Sequence, residues 1–343
     1  MTTNEPVIEA RDLEKYFDQS TSILDSILGR QTGQIQAVDD VSLSLYPTES
    51  QGVIGESGCG KSTLLQTMVG LHEPTGGTLY YRGEDVSEFG RSEWKEFRRN
   101  VQIIFQDPFN SLDPMFTVRE ALLEPLKIHN IPNRDERIHQ VLEQVELRPP
   151  DEYINRLPKQ LSGGEKQRVS IARALSVNPD VIMADEPVSM LDVSTQASIL
   201  RLLTRLREEL DVAILYISHD LSTVSYICDE INVMYLGRIV ESAPTRSILQ
   251  EPQHPYTKAL TSAIPIPDPE HKRERTTIKG TPRDPINIVE GCRFRDRCLE
   301  RMDVCEHTPK MVHTDEGHEV ACHLYYEHEA ESPEEAMTDG DGL

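Results

Sequence analysis

The stretch that decides the fold is Gly55-Glu56-Ser57-Gly58-Cys59-Gly60-Lys61-Ser62, followed by Thr63. It matches G-x-x-x-x-G-K-[ST], with an apolar, strand-like stretch before it (residues 51–54) and a helical pattern after it, the context that this pattern requires. Glycines let successive backbone N–H groups face a phosphate, and the helix N-terminus adds partial positive charge. Lys61 is expected to reach the β- and γ-phosphate oxygens, and Ser62 to bind Mg²⁺. The stretch therefore predicts a nucleoside triphosphate site.

A second element of the predicted site is the pair Asp185 and Glu186, which follows the apolar residues 181–184. Ligands of parallel sheets bind at the carboxyl ends of the strands, so this pair is expected beside the phosphates. We predict that Asp185 holds Mg²⁺ and that Glu186 orients or deprotonates the attacking water.

Cys59, inside the phosphate loop, is interpreted as a small loop residue rather than a redox switch, although Lys61 and the helix start are expected to lower its pKa.

Strand and helix patterns alternate on both sides of these motifs. Strands are predicted at residues 37–46, 51–54, 78–81, 101–105, 181–184, 212–217 and 231–235, and helices from residue 61 and at 118–128, 135–145, 165–177, 195–210 and 221–227. This order predicts an α/β fold of the P-loop NTPase type, with a mostly parallel sheet, an antiparallel β part and a helical insert at about 108–160. The predicted domains are 1–250, a small cysteine-bearing module at 251–326 that begins with a linker or ordered loop (251–285), and an acidic disordered tail at 327–343.

Composition narrows the class of protein. The 343 residues contain 58 acidic and 35 basic side chains, a formal net charge of -23, which argues against a nucleic-acid groove lined by Lys and Arg. The same charge favours a protein adapted to high salt. No apolar run approaches the length of a membrane span and no secretory signal is present, so a cytoplasmic or peripheral location is expected. Six cysteines in a chain of this length do not suggest a disulfide framework.

Between the two phosphate-site elements lies Leu161-Ser162-Gly163-Gly164-Glu165-Lys166-Gln167-Arg168. This octapeptide resembles the LSGGQ-type signature of the ATP-binding cassette family, with Glu165 in place of the usual Gln. The resemblance implies that Ser162, Gly163 and Gly164 contact the γ-phosphate of ATP bound by the opposite subunit. One domain would therefore not complete a site by itself.

Other marks of the family follow in order along the chain. Gln106, at the end of a predicted strand, resembles the loop glutamine that reaches Mg²⁺ and the attacking water. Ser189-Met190-Leu191-Asp192 resembles the loop that crosses the dimer interface, and His219 resembles the switch histidine that contacts the γ-phosphate and Glu186. Upstream, Phe17 fits the aromatic residue that stacks on adenine better by spacing than Tyr16.

Several stretches resemble one branch of the family, the nucleotide-binding subunits of oligopeptide and dipeptide importers. They are VQIIFQDP (101–108), SLDP (111–114) and HPYTKAL (254–260), while Cys59 and PTGG (74–77) resemble the F-type more than the D-type subunit. The resemblance implies an ATPase that pairs with a D-type paralogue, docks on two transmembrane permeases and depends on an extracytoplasmic solute-binding protein. Nickel or sugar import remains an alternative, as does a soluble cassette acting on ribosomes or DNA, which the net charge and the short insert disfavour.

Four late cysteines define the small module: Cys292, Cys298, Cys305 and Cys322. Structural zinc sites usually start from closer pairs, so this spacing favours an iron–sulfur cluster over zinc, with free thiols as a third alternative. The resemblance to the importer branch implies that these cysteines bind a [4Fe-4S] cluster. His307 and His323 are near enough in sequence to substitute as ligands. A structural role is favoured over a redox-regulatory one.

Overall fold

Two β-sheets organise the chain in the computed structural model, which describes residues 5–18, 33–108, 111–263, 278, 280, 286, 288–315 and 317–326. The strands are β1 (Ile8–Asp18), β2 (Gln34–Leu45), β3 (Ser50–Ile54), β4 (Gly76–Tyr81), β5 (Glu84–Asp85), β6 (Val101–Ile104), β7 (Val181–Asp185), β8 (Ala213–Ser218), β9 (Glu230–Tyr235), β10 (Arg238–Pro244), β11 (Val312–Asp315) and β12 (His318–Val320). The α-helices are α1 (Lys61–Met68), α2 (Arg91–Asn100), α3 (Val118–Ile128), α4 (Arg134–Gln144), α5 (Gly163–Leu175), α6 (Val193–Leu210), α7 (Leu221–Ile227), α8 (Thr245–Gln250) and α9 (Pro255–Ser262).

The larger sheet carries the phosphate loop. Its strand order is β11-β12-β10-β9-β3-β8-β7-β6, and the five strands from β9 to β6 are parallel. Strands β3, β7 and β8 are buried along their whole length, as expected for a parallel sheet covered by helices on both faces. Their carboxyl ends lie side by side, since Ile54 pairs with Ser218 and Asp185 with Ile217. The predicted α/β fold with a mostly parallel sheet is confirmed.

The smaller sheet, with strand order β2-β1-β4-β5, is antiparallel. Its apolar face shares a core with α1 and α2 and with one face of the larger sheet. Strand β1 is interrupted by register shifts between Ala10 and Leu13 and between Leu13 and Lys15. These bulges break the alternation of apolar and polar residues, which is why the sequence pattern did not predict β1 as a strand.

Helices α3 and α4 lie in the stretch predicted as a helical insert and pack against α5. Capping boxes fix the N-termini of α3 and α5. Thr117 and Glu120 form a capping box at α3, and Ser162 and Glu165 form one at α5. In the described part of the chain, no helix combines the length and the apolar character needed to cross a bilayer.

The C-terminal elements complete the larger sheet. Strand β10 pairs with β9, and β12 pairs with β10 through Glu241 opposite Val320, so the β11–β12 hairpin forms the sheet edge. The prediction of a linker or ordered loop at 251–285 is wrong for its first part, where His254 caps helix α9. The predicted acidic tail at 327–343 and most of 264–287 lie outside the described residues.

Candidate functional site

The phosphate loop joins β3 to α1 and folds back over Lys61. The Nζ of Lys61 donates to the carbonyl oxygens of Gly55 at 2.8 Å and Glu56 at 3.1 Å. Gly60 has φ +108°, and a Cβ there would lie 1.9 Å from the carbonyl oxygen of Ala37, so only glycine fits. The loop therefore keeps its backbone close to a neighbouring strand and places Lys61 at the helix start.

A hydroxyl and a carboxylate meet beside the loop. The hydroxyl of Ser62 donates to Oδ1 of Asp185 at 3.1 Å. Asp185 is buried at the end of β7, and this burial raises its pKa, with the charge of Glu186 adding to the effect and Ser62 opposing it. Oxygen donors of this kind are the ligands that Mg²⁺ prefers, and a buried carboxylate gains most from a cation. The donor set therefore fits Mg²⁺.

Two predicted residues converge on the carboxylate of a third. The side-chain amide of Gln106 donates to Oε2 of Glu186 at 2.9 Å, and Nδ1 of His219 lies 2.9 Å from Oε1. Glu186 has φ +44°, a left-handed conformation that is uncommon for a residue other than glycine, and its N–H donates to the carbonyl of Ile217. This backbone conformation and the two side-chain contacts hold the Glu186 carboxylate in one orientation.

An open pocket joins these parts. Its lining contains Phe17, Ile35, Ala37, Ser57, Gly58, Gly60, Lys61, Ser62, Thr63, Gln106, Glu186 and His219. Phe17 stacks edge-on against His72 with ring centroids 5.3 Å apart, whereas the hydroxyl of Tyr16 donates to Asp39. Of the two aromatic candidates for the adenine contact, Phe17 is therefore the one that faces the pocket.

The signature residues lie apart from this pocket. Ser162 caps α5 by accepting from the N–H of Glu165 at 3.3 Å, while Oε2 of Glu165 accepts from the N–H of Ser162 at 2.7 Å. Burial opposes ionisation of Glu165, but the Ser162 hydrogen bonds outweigh it and lower its pKa. A Cβ on Gly164 would lie 2.7 Å from Thr195, which brings α5 close to α6. The substitution of Gln by Glu thus preserves the helix cap.

Asp192 is likewise outside the pocket lining and caps α6. Its Oδ1 accepts from the N–H groups of Ser194 and Thr195, each at 3.1 Å. The hydrogen bonds from Ser194 and Thr195 hold the pKa of Asp192 far below its usual range. Met190, two residues earlier, is exposed. The structure therefore places the Ser162–Gly164 turn and the Asp192 loop where this chain's own pocket does not use them.

Cys59 is a buried residue of the loop, 3.8 Å from Nζ of Lys61. Burial raises its pKa, and the charge of Lys61 only partly opposes this effect. The expectation of a lowered pKa is therefore wrong, because removal from water outweighs the attraction of one cation. The interpretation as a small loop residue agrees with this environment.

The four late cysteines lie in the C-terminal part, where the other three act electrostatically on Cys292. All six cysteines of the chain are free of disulfide bonds. Burial and the other three thiols raise the pKa of Cys292 to about 12, and burial raises that of Cys322 to about 11. The sulfur of Cys305 accepts the backbone N–H of Met302 at 3.5 Å. The backbone at Phe294, Glu300 and Leu324 partly opposes the rise in pKa of Cys292, Cys298 and Cys322, in that order.

These sulfurs do not form a confirmed metal centre. No group of three or more Cys, His, Asp or Glu side chains within the described ranges has the arrangement of metal ligands. Of the two histidines predicted as substitute ligands, His323 has both ring nitrogens engaged, by the carbonyl of His307 at 2.9 Å and the hydroxyl of Tyr326 at 2.8 Å. The prediction of a [4Fe-4S] cluster, and zinc as its alternative, therefore stays a prediction.

Sequence reasoning missed two residues that contact the phosphate loop from the C-terminal part. The hydroxyl of Tyr256 accepts from the N–H of Glu56 at 2.9 Å, and the guanidinium of Arg297 binds the Glu56 carboxylate through two hydrogen bonds. The only sequence signal was HPYTKAL, which resembles the importer branch but indicates no role for Tyr256. A contact across 241 positions has no local pattern.

Comparisons with known proteins agree with this geometry. The family description "ABC transporter" matches residues 38–189, and "Oligopeptide/dipeptide transporter, C-terminal region" matches residues 240–305. The chain is 45% identical to the putative oligopeptide transport ATP-binding protein YkfD of Bacillus subtilis, covering 93% of this chain and 96% of the relative. It is 42% identical to the dipeptide transport ATP-binding protein DppF of Haemophilus influenzae, covering 93% and 97%.

Among solved structures, the dimeric ATP-binding cassette MJ0796 bound to ADP and phosphate aligns with a TM-score of 0.60 and 29% identity. The alignment covers 70% of this chain and 99% of that cassette. The cassette part of the chain thus has the length of a whole solved domain, and the C-terminal part is additional to it.

Proposed function

Because the chain belongs to the ABC transporter family, in its oligopeptide and dipeptide branch, we propose that it is the ATP-hydrolysing subunit of a membrane importer for peptides. The observation that carries this proposal is the convergence of Gln106 and His219 on the carboxylate of Glu186, beside the phosphate loop. The reaction is hydrolysis of ATP to ADP and phosphate, coupled to conformational change of the permeases.

The pocket residues take separate roles in binding. Phe17 stacks on the adenine, and the loop from Gly55 to Thr63 cradles the phosphates with its N–H groups and Lys61. Ser62, Gln106 and Asp185 would hold Mg²⁺, which neutralises phosphate charge when bound. This division follows from the lining of the pocket and from the hydrogen bond between Ser62 and Asp185.

Glu186 is the residue that acts on the attacking water in ATP hydrolysis. Its carboxylate is already an acceptor, so it can orient a water molecule and take its proton as the water attacks the γ-phosphorus. His219 holds the carboxylate through Nδ1 and exposes the rest of its ring to the pocket, where it can sense the γ-phosphate. Catalysis of this kind consists mainly of positioning and electrostatics.

The pocket of one chain is half of a working site. Ser162, Gly163, Gly164 and Asp192 lie outside it, which supports their use on the ATP of a second cassette subunit. We propose that this subunit is a D-type paralogue and that the pair docks on two transmembrane permeases at the cytoplasmic face, supplied by an extracytoplasmic solute-binding protein. No nucleic acid partner is expected, given the net charge of -23.

The four-cysteine module carries a further part of the proposal, a [4Fe-4S] cluster on Cys292, Cys298, Cys305 and Cys322. Its support is that Cys298, Cys305 and Cys322 are near enough to Cys292 to act on it electrostatically, and that the Cys305 sulfur accepts the backbone N–H of Met302 at 3.5 Å. Anaerobic purification followed by iron, sulfide and zinc analysis tests it. Stoichiometric zinc without sulfide would contradict the cluster.

The experiment that tests the function compares Glu186→Gln with the parent chain in Mg²⁺-dependent ATP hydrolysis and in ATP binding. Loss of a general base typically costs about 10²–10⁴ in rate, so we expect a fall of that size with ATP binding retained. Glu209→Gln is the matched control, because Glu209 is exposed on α6 and pairs with Arg205 at 3.8 Å, away from the pocket.

Unchanged ATP hydrolysis by Glu186→Gln would refute the role of Glu186.

The importer itself is tested by affinity capture of the tagged chain from solubilised membranes. Two permeases and a second cassette subunit are expected, whereas capture of ribosomal proteins would favour a soluble cassette. Peptide uptake in vesicles with the captured complex, compared with nickel and sugar uptake, then tests the transported class.

A further inference from the structure

The cysteine module, defined as residues 288–315 and 317–326, packs against the part of the fold that carries the phosphate loop. Tyr235 of β9, Tyr256 of α9 and Phe294 of the module form an aromatic cluster with ring centroids 4.7 to 5.5 Å apart. From this cluster the hydroxyl of Tyr256 accepts the N–H of Glu56. The module thus packs against the tyrosine that contacts Glu56, the second residue of the loop that binds phosphate.

The strongest contact is a bidentate ion pair. Arg297 donates from its two terminal nitrogens to the two carboxylate oxygens of Glu56, at 2.6 and 2.9 Å, and one of these nitrogens also lies 3.3 Å from the hydroxyl of Tyr235. The side chain of Arg297 is only 8% exposed and that of Glu56 26%. Paired planar groups of this kind restrict each other's orientation, and partial burial limits screening by salt.

A second arginine of the module contacts strand β2 and the chain after β9. Arg293 donates to the carboxylate of Asp39 and to the carbonyl of Leu236, and at 2.9 Å to the side chain of Gln36. These contacts fix the part of β2 that contains Ala37, which lines the pocket. Arg293 follows Cys292 and Arg297 precedes Cys298, so each arginine is the chain neighbour of a module cysteine.

The pairing of Glu56 with Arg297 affects ATP binding because Glu56 is negatively charged. A carboxylate in the phosphate loop opposes the approach of a triphosphate, and it does so most strongly where water is partly excluded. Arg297 compensates the charge of Glu56 and so reduces this repulsion. Its two parallel hydrogen bonds also fix the orientation of the loop at Glu56. An arginine that served only to anchor the module could pair with any surface acid.

We propose that Arg297 is a positioning residue of the phosphate loop, which holds and neutralises Glu56 so that ATP affinity depends on the cysteine module. This inference rests on the proposed function, because it concerns the same nucleotide site. Arg297 does not touch the nucleotide itself; it acts through Glu56.

The test measures Mg²⁺-ATP binding to the purified full chain by isothermal titration calorimetry. We expect Arg297→Met to weaken binding about tenfold, and Glu56→Gln in the same chain to restore most of the affinity, because the unpaired charge is then gone. Arg297→Lys keeps the charge but loses the fork, so an intermediate affinity is expected. If Arg297→Met does not fold, the Lys variant alone decides, with full parental affinity contradicting the proposal.

Arg295→Met is the matched control. Arg295 lies between the same two cysteines, but its partners, Glu306 at 3.7 Å and the carbonyl of Glu290, belong to the module. We expect its ATP affinity to equal that of the parent. Equal weakening by Arg295→Met and Arg297→Met, or no recovery in the double variant, would overturn the proposal. Failure of the parent chain to bind ATP would instead contradict the proposed function.

Discussion

His254 provides the sharpest prediction, because it is a fully buried histidine that caps a helix. Its ring is 1% exposed and packs against Phe294, and its Nδ1 accepts from the N–H of Tyr256 at 3.1 Å. Burial lowers the pKa of His254 to about 3, and the charge of Lys258 adds to the effect. A protonated ring would carry a hydrogen on both nitrogens and could no longer accept the Tyr256 N–H, so acid should loosen the start of α9.

The size of this pH effect on the free energy of unfolding follows from the difference in the pKa of His254 between the folded and unfolded states. An unfolded histidine has a pKa of about 6.5, so between that value and about 3 the unfolded chain binds a proton that the folded chain excludes. The free energy of unfolding therefore rises with pH in this window. The stabilisation is complete above about pH 6.5 and is lost as the pH falls toward 3. From about pH 7.5 to about pH 5, the loss due to His254 amounts to about 2 kcal/mol.

The assay compares urea unfolding of the parent and His254→Asn at these two pH values and at constant salt. Asn keeps an acceptor at the helix N-cap but does not titrate, so acidification should cost the variant about 2 kcal/mol less than the parent. His313→Asn, at an exposed histidine of the same region, is the control. Equal losses in parent and His254→Asn would refute the reasoning, because the carboxylates common to both chains cancel in the comparison.

Two further predictions concern buried groups near the site. Glu241 is fully buried, accepts from the N–H groups of Gln253 and His254, and contacts Nε2 of His318 at 2.8 Å. Glu241→Ala should therefore lower the free energy of unfolding by about 3–5 kcal/mol, read from the urea midpoint. A loss below about 1 kcal/mol would contradict this prediction. Cys59, whose pKa burial raises, should resist iodoacetamide at neutral pH, and Cys59→Ala should bind Mg²⁺-ATP; rapid labelling detected by mass spectrometry would contradict this.

The nucleotide site could be predicted because its parts are local patterns at strand ends. The phosphate loop needs eight consecutive residues, and Asp185, Glu186 and His219 each follow a recognisable apolar strand. Parallel strands bring such ends to one edge, so the sequence order already implied that Gln106, Glu186 and His219 would meet. The adaptation to high salt, by contrast, rests on net charge alone and stays a prediction.

The elements that the sequence did not reveal lack a periodic apolar pattern. Helix α2 buries only Phe97 among its ten residues. Helix α9 begins at Pro255, three residues after Pro252, in a stretch that resembles a linker. Strand β1 is broken by bulges. The pairing of Arg297 with Glu56 depends on how the module docks, and one Arg among many carries no sign of its partner. Local propensity does not encode contacts of this range.

Two parts of the chain reach the nucleotide pocket through different strand ends. Gln106 follows β6, leads into the stretch that carries α3 and α4, and contacts Glu186, the residue of the chemical step. Glu56 follows β3 and contacts Arg297 of the cysteine module. The two contacts share no residue, so they can act independently. The helical part is thus joined to hydrolysis, and the cysteine module to nucleotide affinity, which gives the module a role in the ATP cycle that a purely structural appendage would not have.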